Sequence, residues 1–250
     1  MKILLLGGEG YIGRVVSEFL INKSNYVISY DNLIYGQKNN TDQESFKFIK
    51  GDIADGKKIH KILEEVDYVV ILVGLVGDPI TKKYPYESSL INNNYLKDII
   101  KIIFKLNNKK LIFISTCSNY GLINDNDEAD ENFELNPLSL YAKSKVEIEK
   151  YLLDYKDNNT ETTILRFSTA FGLSPRMRFD LTVNEFVREM YVNKNISVFD
   201  EDTWRPYCHI YDFARAIWRV LNEKTQICKN QIYNVGSSNN NYSKRMIVEK

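Results

Sequence analysis

Two side chains in the second half of the sequence could transfer a proton. Tyr141 and Lys145 are four residues apart, so on a helix they lie on the same face. A free phenol has a pKa of about 10 and is a poor base at neutral pH. A neighbouring ammonium group stabilises the phenolate and lowers that pKa. The spacing therefore indicates an acid-base pair, although two unconnected residues on a surface helix would show the same pattern.

A run of hydroxyl-bearing residues precedes this pair. Ser115, Thr116 and Ser118 follow an apolar segment that is typical of a buried strand. If Thr116 lies within reach of Tyr141, its hydroxyl group can hydrogen-bond the same substrate oxygen. The sequence therefore predicts that these residues meet where that strand ends.

The start of the chain carries a pattern typical of a dinucleotide-binding turn. Gly7, Gly10 and Gly13 stand between an apolar strand and a helix whose free N–H groups can face a pyrophosphate. Asp31 ends the next strand, about twenty residues beyond the glycines, where a carboxylate accepts both ribose hydroxyls and repels a 2′-phosphate. The pattern therefore predicts NAD rather than NADP, whereas a purely structural turn would account for the glycines alone.

Composition excludes several other classes of function. The 250 residues include 33 basic and 33 acidic side chains, so no basic surface for nucleic acid is expected. No apolar run reaches membrane-spanning length, and the first residues already form a strand, which predicts a soluble, cytoplasmic protein. Three cysteines and two histidines have no metal-ligand spacing, so we expect neither a metal site nor a disulfide.

Apolar strands and amphipathic helices alternate along the first two thirds of the chain. This alternation predicts an α/β fold, a Rossmann-type doubly wound parallel sheet over residues 1–167, followed by a small C-terminal substrate lobe within 168–250. The acidic stretch 124–134 is expected to be a solvated loop. The expected strands are 2–6, 26–30, 46–49, 68–73 and 110–114, and the expected helices include 55–65, 87–106 and one that begins at Pro137.

Ligands of such sheets bind at the carboxyl ends of the strands. Asp52 and Ile53 follow one predicted strand and could border the adenine, although Asp52 could equally be a turn residue that caps the next helix. The expected cofactor contacts along this edge are Gly7, Gly10, Tyr11, Ile12, Gly13, Asp31, Asn32, Asp52, Ile53, Val73 and Gly74, together with Tyr141 and Lys145.

Further motifs give the chain a resemblance to a known family. They are Gly51-Asp52-Ile53, Tyr120-Gly121, Leu165-Arg166-Phe167, residues 204–212 and residues 233–236, in addition to the glycine turn and the Tyr141–Lys145 pair. With them the chain, from Met1 to about Val235, resembles the extended short-chain dehydrogenases/reductases and, among these, the NAD-dependent sugar-nucleotide epimerase/dehydratase family. The segment 171–184 is similar to a bacterial branch that includes dehydrogenases acting at C4 of GDP-heptoses.

The resemblance implies oxidation at C4 of a sugar linked to a nucleoside diphosphate. Tyr141 would accept the hydroxyl proton, Lys145 would bind the nicotinamide ribose, and Thr116 would polarise the forming ketone. Asn94 would hold a loop beside the active site, and Glu131 matches a family carboxylate. Family analogy also implies a homodimer formed by two helices per subunit. The substrate contacts expected from the resemblance are Ser118, Thr169, Arg176, Arg178, Asn184 and Arg205.

Some residues differ from the family pattern, and these differences reduce the number of reactions that the chain is expected to catalyse. The 4,6-dehydratases of the family place Asp-Glu after the threonine, whereas Cys117 and Ser118 stand here and cannot replace that acid and base. Thr169 occupies a position where C4 epimerases usually carry asparagine, so an epimerase and a dehydrogenase both stay open. Arg176 and Arg178 suit phosphate oxygens, but a solvated basic turn is an equal alternative.

Two other classes of function also stay open. One is a protein that binds NAD or a nucleotide sugar without catalysis, and the other is a reductase of a small non-nucleotide carbonyl. Family members continue well past Gly236, so the sequence is expected to be either a fragment or a chain with a trimmed lobe.

Overall fold

A parallel sheet of seven strands forms the centre of the protein, in a computed structural model that describes residues 1–36, 44–123, 127–155 and 159–250. The ten strands of the described chain are β1 (Lys2–Leu6), β2 (Tyr26–Asp31), β3 (Phe46–Lys50), β4 (Tyr68–Ile71), β5 (Lys110–Thr116), β6 (Glu161–Phe167), β7 (Thr169–Phe171), β8 (Trp204–His209), β9 (Gln231–Val235) and β10 (Asn241–Ser243). The main sheet has the order β3-β2-β1-β4-β5-β6-β9, and every neighbouring pair in it is parallel.

Helices cover both faces of this sheet. On one face α1 and α8 share an apolar cluster, and on the other face α2, α5 and α6 share a second one. The doubly wound sheet predicted from the sequence is therefore confirmed. The helices are α1 (Tyr11–Asn22), α2 (Gly56–Leu63), α3 (Asp78–Lys83), α4 (Pro85–Ser89), α5 (Leu96–Leu106), α6 (Leu140–Asp154), α7 (Thr182–Asn193), α8 (Ile210–Asn222), α9 (Thr225–Cys228) and α10 (Lys244–Val248).

The central strands explain why the sheet forms. In β1, the residues from Ile3 to Leu6 are completely buried, because both faces are covered by helices and both edges are paired. A continuous apolar run of this kind is typical of a parallel strand inside a sheet. The carboxyl ends of β1, β2, β4 and β5 consequently meet at one edge, which is the edge that carries the candidate site.

A small second sheet follows the main one along the chain. It has the order β10-β8-β7, with β8 antiparallel to β10 and parallel to β7. Between its strands the chain returns to the main sheet, since α8 packs against α1 and β9 pairs with β6. The assignment of residues 1–167 to the cofactor and of 168–250 to the substrate stays a prediction.

The helix expected over 87–106 is divided into three parts. The chain forms α4, then a wider π-helical segment over Leu90–Tyr95, and then α5. Asn92 lies in the wide segment and is only 3% exposed, and its amide donates to Leu75 O and accepts from Leu75 N, both at 2.9 Å. Such π turns occur often at functional sites. Here the turn brings a polar side chain onto the loop that follows β4.

One further expectation about local structure needs correction, and another concerns residues that are partly outside the described chain. The helix that carries Tyr141 begins at Leu140 rather than at Pro137, because the Ser139 hydroxyl caps it by accepting from Ala142 N at 3.2 Å. The acidic stretch expected to be a loop includes residues 124–126, which lie outside the described part of the chain.

A carboxylate covers one point on the outer edge of the main sheet. Strand β9 is the last strand of that sheet, and its Asn234 N–H donates to Glu131 Oε1 at 2.7 Å. The side-chain amide of Asn234 also donates to Ala129 O at 3.2 Å. The loop before α6 is thereby attached to the sheet edge.

A buried ion pair joins α6 to β6. Arg166 Nη2 lies 2.7 Å from Glu149 Oε2, and the two side chains are only 3% and 2% exposed. Additional hydrogen bonds satisfy the pair, since Asn119 donates to Glu149 and Arg166 donates to the Tyr120 hydroxyl. Removing one partner of such a pair leaves an uncompensated buried charge, which costs about 3–5 kcal/mol.

We predict that Glu149→Leu lowers the free energy of unfolding by about 3–5 kcal/mol, because Arg166 then loses its buried partner. Urea denaturation followed by circular dichroism measures the change.

Two further variants make this prediction specific. Arg219→Ala, which breaks the surface pair between Arg219 and Glu223, should change stability by less than about 1 kcal/mol. The double variant Glu149→Leu with Arg166→Met should regain part of the loss, because neither charge is then left unpaired. A double variant that is less stable than the single one would contradict this account.

Candidate active site

A cleft runs along the carboxyl ends of β1, β2 and β4. Six of the residues expected to contact the cofactor line it together with Leu6, Tyr30, Ile34, Gly51, Leu75 and Ile91. Strand ends that meet at one edge create such a cleft in a doubly wound sheet. The six expected residues in the lining are Gly7, Asp31, Asn32, Ile53, Val73 and Gly74.

The glycine turn leaves no room for side chains at two of its positions. Gly7 has φ of +85°, and a Cβ atom there would lie 2.7 Å from the backbone of Val73. A Cβ atom on Gly13 would lie 2.6 Å from Gly7 O, so α1 can pack closely on the strand exit. At Gly10 the nearest atom would be 3.5 Å away, which leaves space above the helix N-terminus. The turn therefore has the shape that a pyrophosphate requires.

Polar groups hold Asp31 at the end of β2. Its Oδ2 atom accepts from Glu9 N at 3.1 Å, and its Oδ1 atom accepts from Leu33 N at 2.8 Å. A carboxylate offers about four acceptor positions, so both oxygens keep capacity for ribose hydroxyls. Asn32 donates to Asp52 Oδ2 at 3.0 Å. Asp52 thus supports the neighbouring loop, and the helix cap of α2 comes from Asp55 instead.

These features fit the NAD predicted from the sequence. The open space at Gly10 and the helix N-terminus suit the pyrophosphate, and Asp31 suits the adenosine ribose. The buried Ile53 and the Leu75 loop supply apolar walls to the same cleft.

The three residues expected to act in catalysis lie together. Thr116 is the last residue of β5, and its hydroxyl group is close enough to the Tyr141 side chain to lower the pKa of that phenol. Lys145 is 4% exposed and donates from Nζ to Ile114 O at 2.8 Å. Its Nζ atom lies 5.8 Å from the centre of the Tyr141 ring. Strand β5 and helix α6 therefore present a hydroxyl, a phenol and an amine at one place.

The electrostatics of Tyr141 differ from the sequence expectation. Burial raises its pKa above the ordinary value of 10.0, and the positive charge of Arg178 and the hydrogen bond with Thr116 only partly offset this. Burial also lowers the pKa of Lys145 from 10.5 to about 8, against the opposing effect of Glu149. In the chain by itself the phenol is thus less acidic than free tyrosine, and the Lys145 ammonium does not offset burial.

Arg178, expected to contact the substrate, is close enough to Tyr141 for the two side chains to interact electrostatically. Its guanidinium group forms two hydrogen bonds with Asp180, at 2.6 and 3.1 Å, and its charge acts on Tyr141. One of its nitrogens is also near Gly77, on the loop after β4. The Asp180 pKa is lowered mainly by its hydrogen bond with Arg178. This arrangement places a cation close enough to Tyr141 to act on its phenol.

Other expected substrate residues are spread around the same edge. Ser118 lies in the short 3₁₀ turn after β5, and its N–H donates to the Thr116 hydroxyl at 3.2 Å. Arg205, on β8, is close enough to Cys117 for its charge to lower the thiol pKa, although burial raises that pKa overall. Thr169 begins β7 and pairs with Tyr207 of β8. The small sheet thus brings Thr169 and Arg205 toward the end of β5.

Two expected site residues have a different place in the structure. Asn94 is exposed, and the loop beside the site is held by the buried Asn92 instead. The sequence contained a signal for this, because Asn92 precedes the buried Leu96 by four residues and therefore shares its helical face.

Asn184 was expected to contact substrate, but its side chain forms hydrogen bonds with other residues of the chain. It is 7% exposed, donates to the Tyr11 hydroxyl at 3.0 Å and to Arg178 O at 2.9 Å, and accepts from Gly172 N at 3.1 Å. These bonds fix the segment after β7 relative to the glycine turn, which no sequence pattern indicated.

Two further features of the described residues concern metal-ion sites and membrane-spanning helices. Within residues 1–36, 44–123, 127–155 and 159–250, His, Cys, Asp and Glu form no group of three or more that could hold a metal ion. In the same part of the chain, every helix is too short or too polar to cross a membrane.

Relatives of known name share this sequence over most of its length. A protein of Methanocaldococcus jannaschii, named provisionally as a UDP-glucose 4-epimerase, is 30% identical over 240 residues, which cover 94% of this chain and 76% of the relative. The dTDP-D-glucose 4,6-dehydratase of Dictyostelium discoideum is 28% identical over 274 residues, covering 98% of this chain and 61% of the relative.

A solved structure with the same fold extends the comparison. The UDP-glucose 4-epimerase of Thermotoga maritima, solved with UDP-glucose, superposes with a TM-score of 0.89 at 26% identity. The match covers 100% of this chain and 81% of that protein.

The family model described as "NAD dependent epimerase/dehydratase family" matches residues 3–236. This match includes the glycine turn, the end of β5 and the Tyr141–Lys145 pair, and its description confirms the cofactor predicted from the glycine turn and Asp31. The chain therefore belongs to the NAD dependent epimerase/dehydratase family.

Proposed function

We propose that this chain is an NAD-dependent 4-epimerase of a UDP-linked sugar. The observation that carries the proposal is that Thr116, Tyr141 and the buried Lys145 lie together at the end of β5. The names of the relatives from Methanocaldococcus jannaschii and Thermotoga maritima support UDP-glucose as the first substrate to test. The resemblance to GDP-heptose dehydrogenases stays a prediction, as do the homodimer and the cytoplasmic location.

Each of the chain's own residues at the site would have a separate role in the reaction at C4. Tyr141 would accept the proton of the C4 hydroxyl, while Thr116 donates a hydrogen bond to the same oxygen. Arg178 supplies a positive charge that favours the ionised phenol. Lys145 would keep its ammonium beside the nicotinamide ribose, and with a pKa of about 8 it is still mainly protonated at neutral pH.

NAD, when bound, would supply an acceptor for the C4 hydride and a positively charged ring beside the phenol. Asp31, with the helix N-terminus at Gly10, would hold it in a fixed place through its ribose and pyrophosphate. Return of the hydride to the opposite face of C4, with return of the Tyr141 proton to the C4 oxygen, would complete an epimerisation without net redox change.

Residues after Thr116 argue against a 4,6-dehydratase. Such a reaction needs an acid and a base to eliminate water, and Cys117 and Ser118 occupy those positions. Burial raises the pKa of the Cys117 thiol, so it is also a poor proton carrier at neutral pH. A dehydrogenase would use the same first step, but it would release the oxidised sugar and accumulate reduced cofactor.

We predict that Tyr141→Phe lowers kcat for conversion of UDP-glucose to its C4 epimer by roughly 10²- to 10⁴-fold, because the general base is lost. Product stereochemistry and reduced-cofactor absorbance are followed together, so that epimerisation is separated from net oxidation. Tyr151→Phe, on the same helix but outside the site, is the matched control and should keep full activity.

Turnover that survives in Tyr141→Phe would refute the assigned base. Tight NAD binding by the unaltered protein without turnover of UDP-, GDP-, CDP- or dTDP-sugars would instead support a non-catalytic binder. Reduction of a small carbonyl compound in preference to these sugars would support the third class of function.

We further predict that the Tyr141 phenol stays neutral in the cofactor-free protein up to at least pH 10, since burial raises its pKa above 10.0. The check is an ultraviolet tyrosinate titration, taken as the difference between the unaltered protein and Tyr141→Phe. Saturating NAD should move the Tyr141-dependent signal to lower pH, because it adds a positive charge beside the phenol. A tyrosinate signal at pH 7 without NAD would contradict the prediction.

A further inference from the structure

Arg176 lies against the adenosine half of the cofactor cleft and not at the end of β5. Its guanidinium carbon is 4.8 Å from the centre of the Tyr35 ring. Tyr35 belongs to the loop that follows Asp31, and its ring is 48% exposed. Arg176 is also close enough to Asp31 for the two charges to interact. From the sequence, Arg176 could bind a substrate diphosphate or belong to a solvated basic turn; in the structure it contacts Tyr35 beside Asp31.

The segment that carries Arg176 is fastened to the glycine turn. The Ser174 hydroxyl donates to Tyr11 O at 2.7 Å and accepts from Arg176 N at 3.2 Å. The Tyr11 hydroxyl donates to Gly172 O at 2.7 Å. Tyr11 is the first residue of α1, so residues 172–176 are attached to the first turn of the helix whose N-terminus suits the pyrophosphate.

The contact of Arg176 with Tyr35 connects two loops that flank the cleft. Tyr35 follows β2 on one side, and residues 172–176 approach from the lobe on the other. A guanidinium group over an aromatic face is attractive, and more so when it is partly shielded from water, as Arg176 is. The same guanidinium group can bind the oxygens of a diphosphate or a ribose below it. The two side chains can therefore close the cleft above a dinucleotide.

We propose that residues 172–176 are a strap over the adenosine half of the NAD site, closed by the contact of Arg176 with Tyr35, and that NAD leaves only when this contact opens. The proposal rests on the proposed function, because it assigns residues to the cofactor of that reaction. A strap of this kind suits an epimerase, since the cofactor that takes the hydride also gives it back and need not exchange between turnovers.

The experiment measures the rate at which NAD dissociates from the complete chain, by mixing the NAD complex with an excess of a trapping ligand. Arg176→Ala and Tyr35→Ala should each raise this rate by roughly five- to thirty-fold, as expected for loss of a partly shielded cation–π contact. Tyr35→Phe keeps the ring and should keep the slow rate. Arg219→Ala, on the exposed surface of helix α8, controls for the loss of an arginine.

The double variant Arg176→Ala with Tyr35→Ala tests whether the two side chains act as one closure. Because both single changes open the same contact, the double variant should release NAD about as fast as either one. Fully additive effects would overturn the strap.

A second readout separates cofactor from substrate roles. At saturating NAD, Arg176→Ala should leave KM for UDP-glucose nearly unchanged. An unchanged NAD dissociation rate together with a raised KM would overturn the proposal and restore Arg176 as a substrate contact. Failure of the unaltered protein to bind NAD at all would be a different result, because it would remove the proposed function itself and the strap with it.

Discussion

The hydrogen bond from Lys145 to Ile114 O fixes the relation between α6 and β5 on which the candidate site depends. Lys145 is buried, so its ammonium needs a hydrogen-bond acceptor inside the protein. The backbone carbonyl of Ile114, two residues before the end of β5, is that acceptor. One helical turn earlier, Tyr141 consequently reaches the Thr116 hydroxyl. One turn later, Glu149 pairs with Arg166 on β6. A single helix face thus carries the phenol, the amine and the anchor of the helix.

Burying these groups costs free energy, because it lowers the pKa of Lys145 and raises the pKa of Tyr141. Lowering the Lys145 pKa from 10.5 to about 8 means that burial disfavours its ammonium by roughly 3 kcal/mol. For Tyr141, burial disfavours the phenolate, and Arg178 is the main opposing charge within the chain. The protein therefore provides position and a dry environment, while ionisation of the phenol requires positive charge from outside the chain. Under the proposed function, this dependence would couple proton transfer to the presence of the oxidised cofactor.

Much of the fold could be predicted because its signals are local. The apolar run of β1, the glycine spacing and the Asp31 strand end each follow from backbone and burial constraints within a few residues. The residues that the sequence misplaced depend on contacts between distant segments. The spacing of Asn92 from Leu96 indicated a buried face, but the contact of Asn92 with Leu75, 17 residues earlier, had no local signal. The contact of Arg176 with Tyr35 likewise depends on a segment that Ser174 attaches to Tyr11. The raised pKa of Tyr141 was also missed, since spacing alone says nothing about desolvation.

The carboxylate of Glu131 has an effect beyond the loop it belongs to. Strand β9 ends the main sheet, and a bare outer strand offers N–H groups to which a strand of another molecule can add. Because Glu131 already accepts the backbone N–H of Asn234, an incoming strand would have to displace this carboxylate. The bond from the Asn234 side-chain amide to Ala129 O holds the same loop against the strand. Glu131 therefore also protects the protein against edge-to-edge pairing at this point.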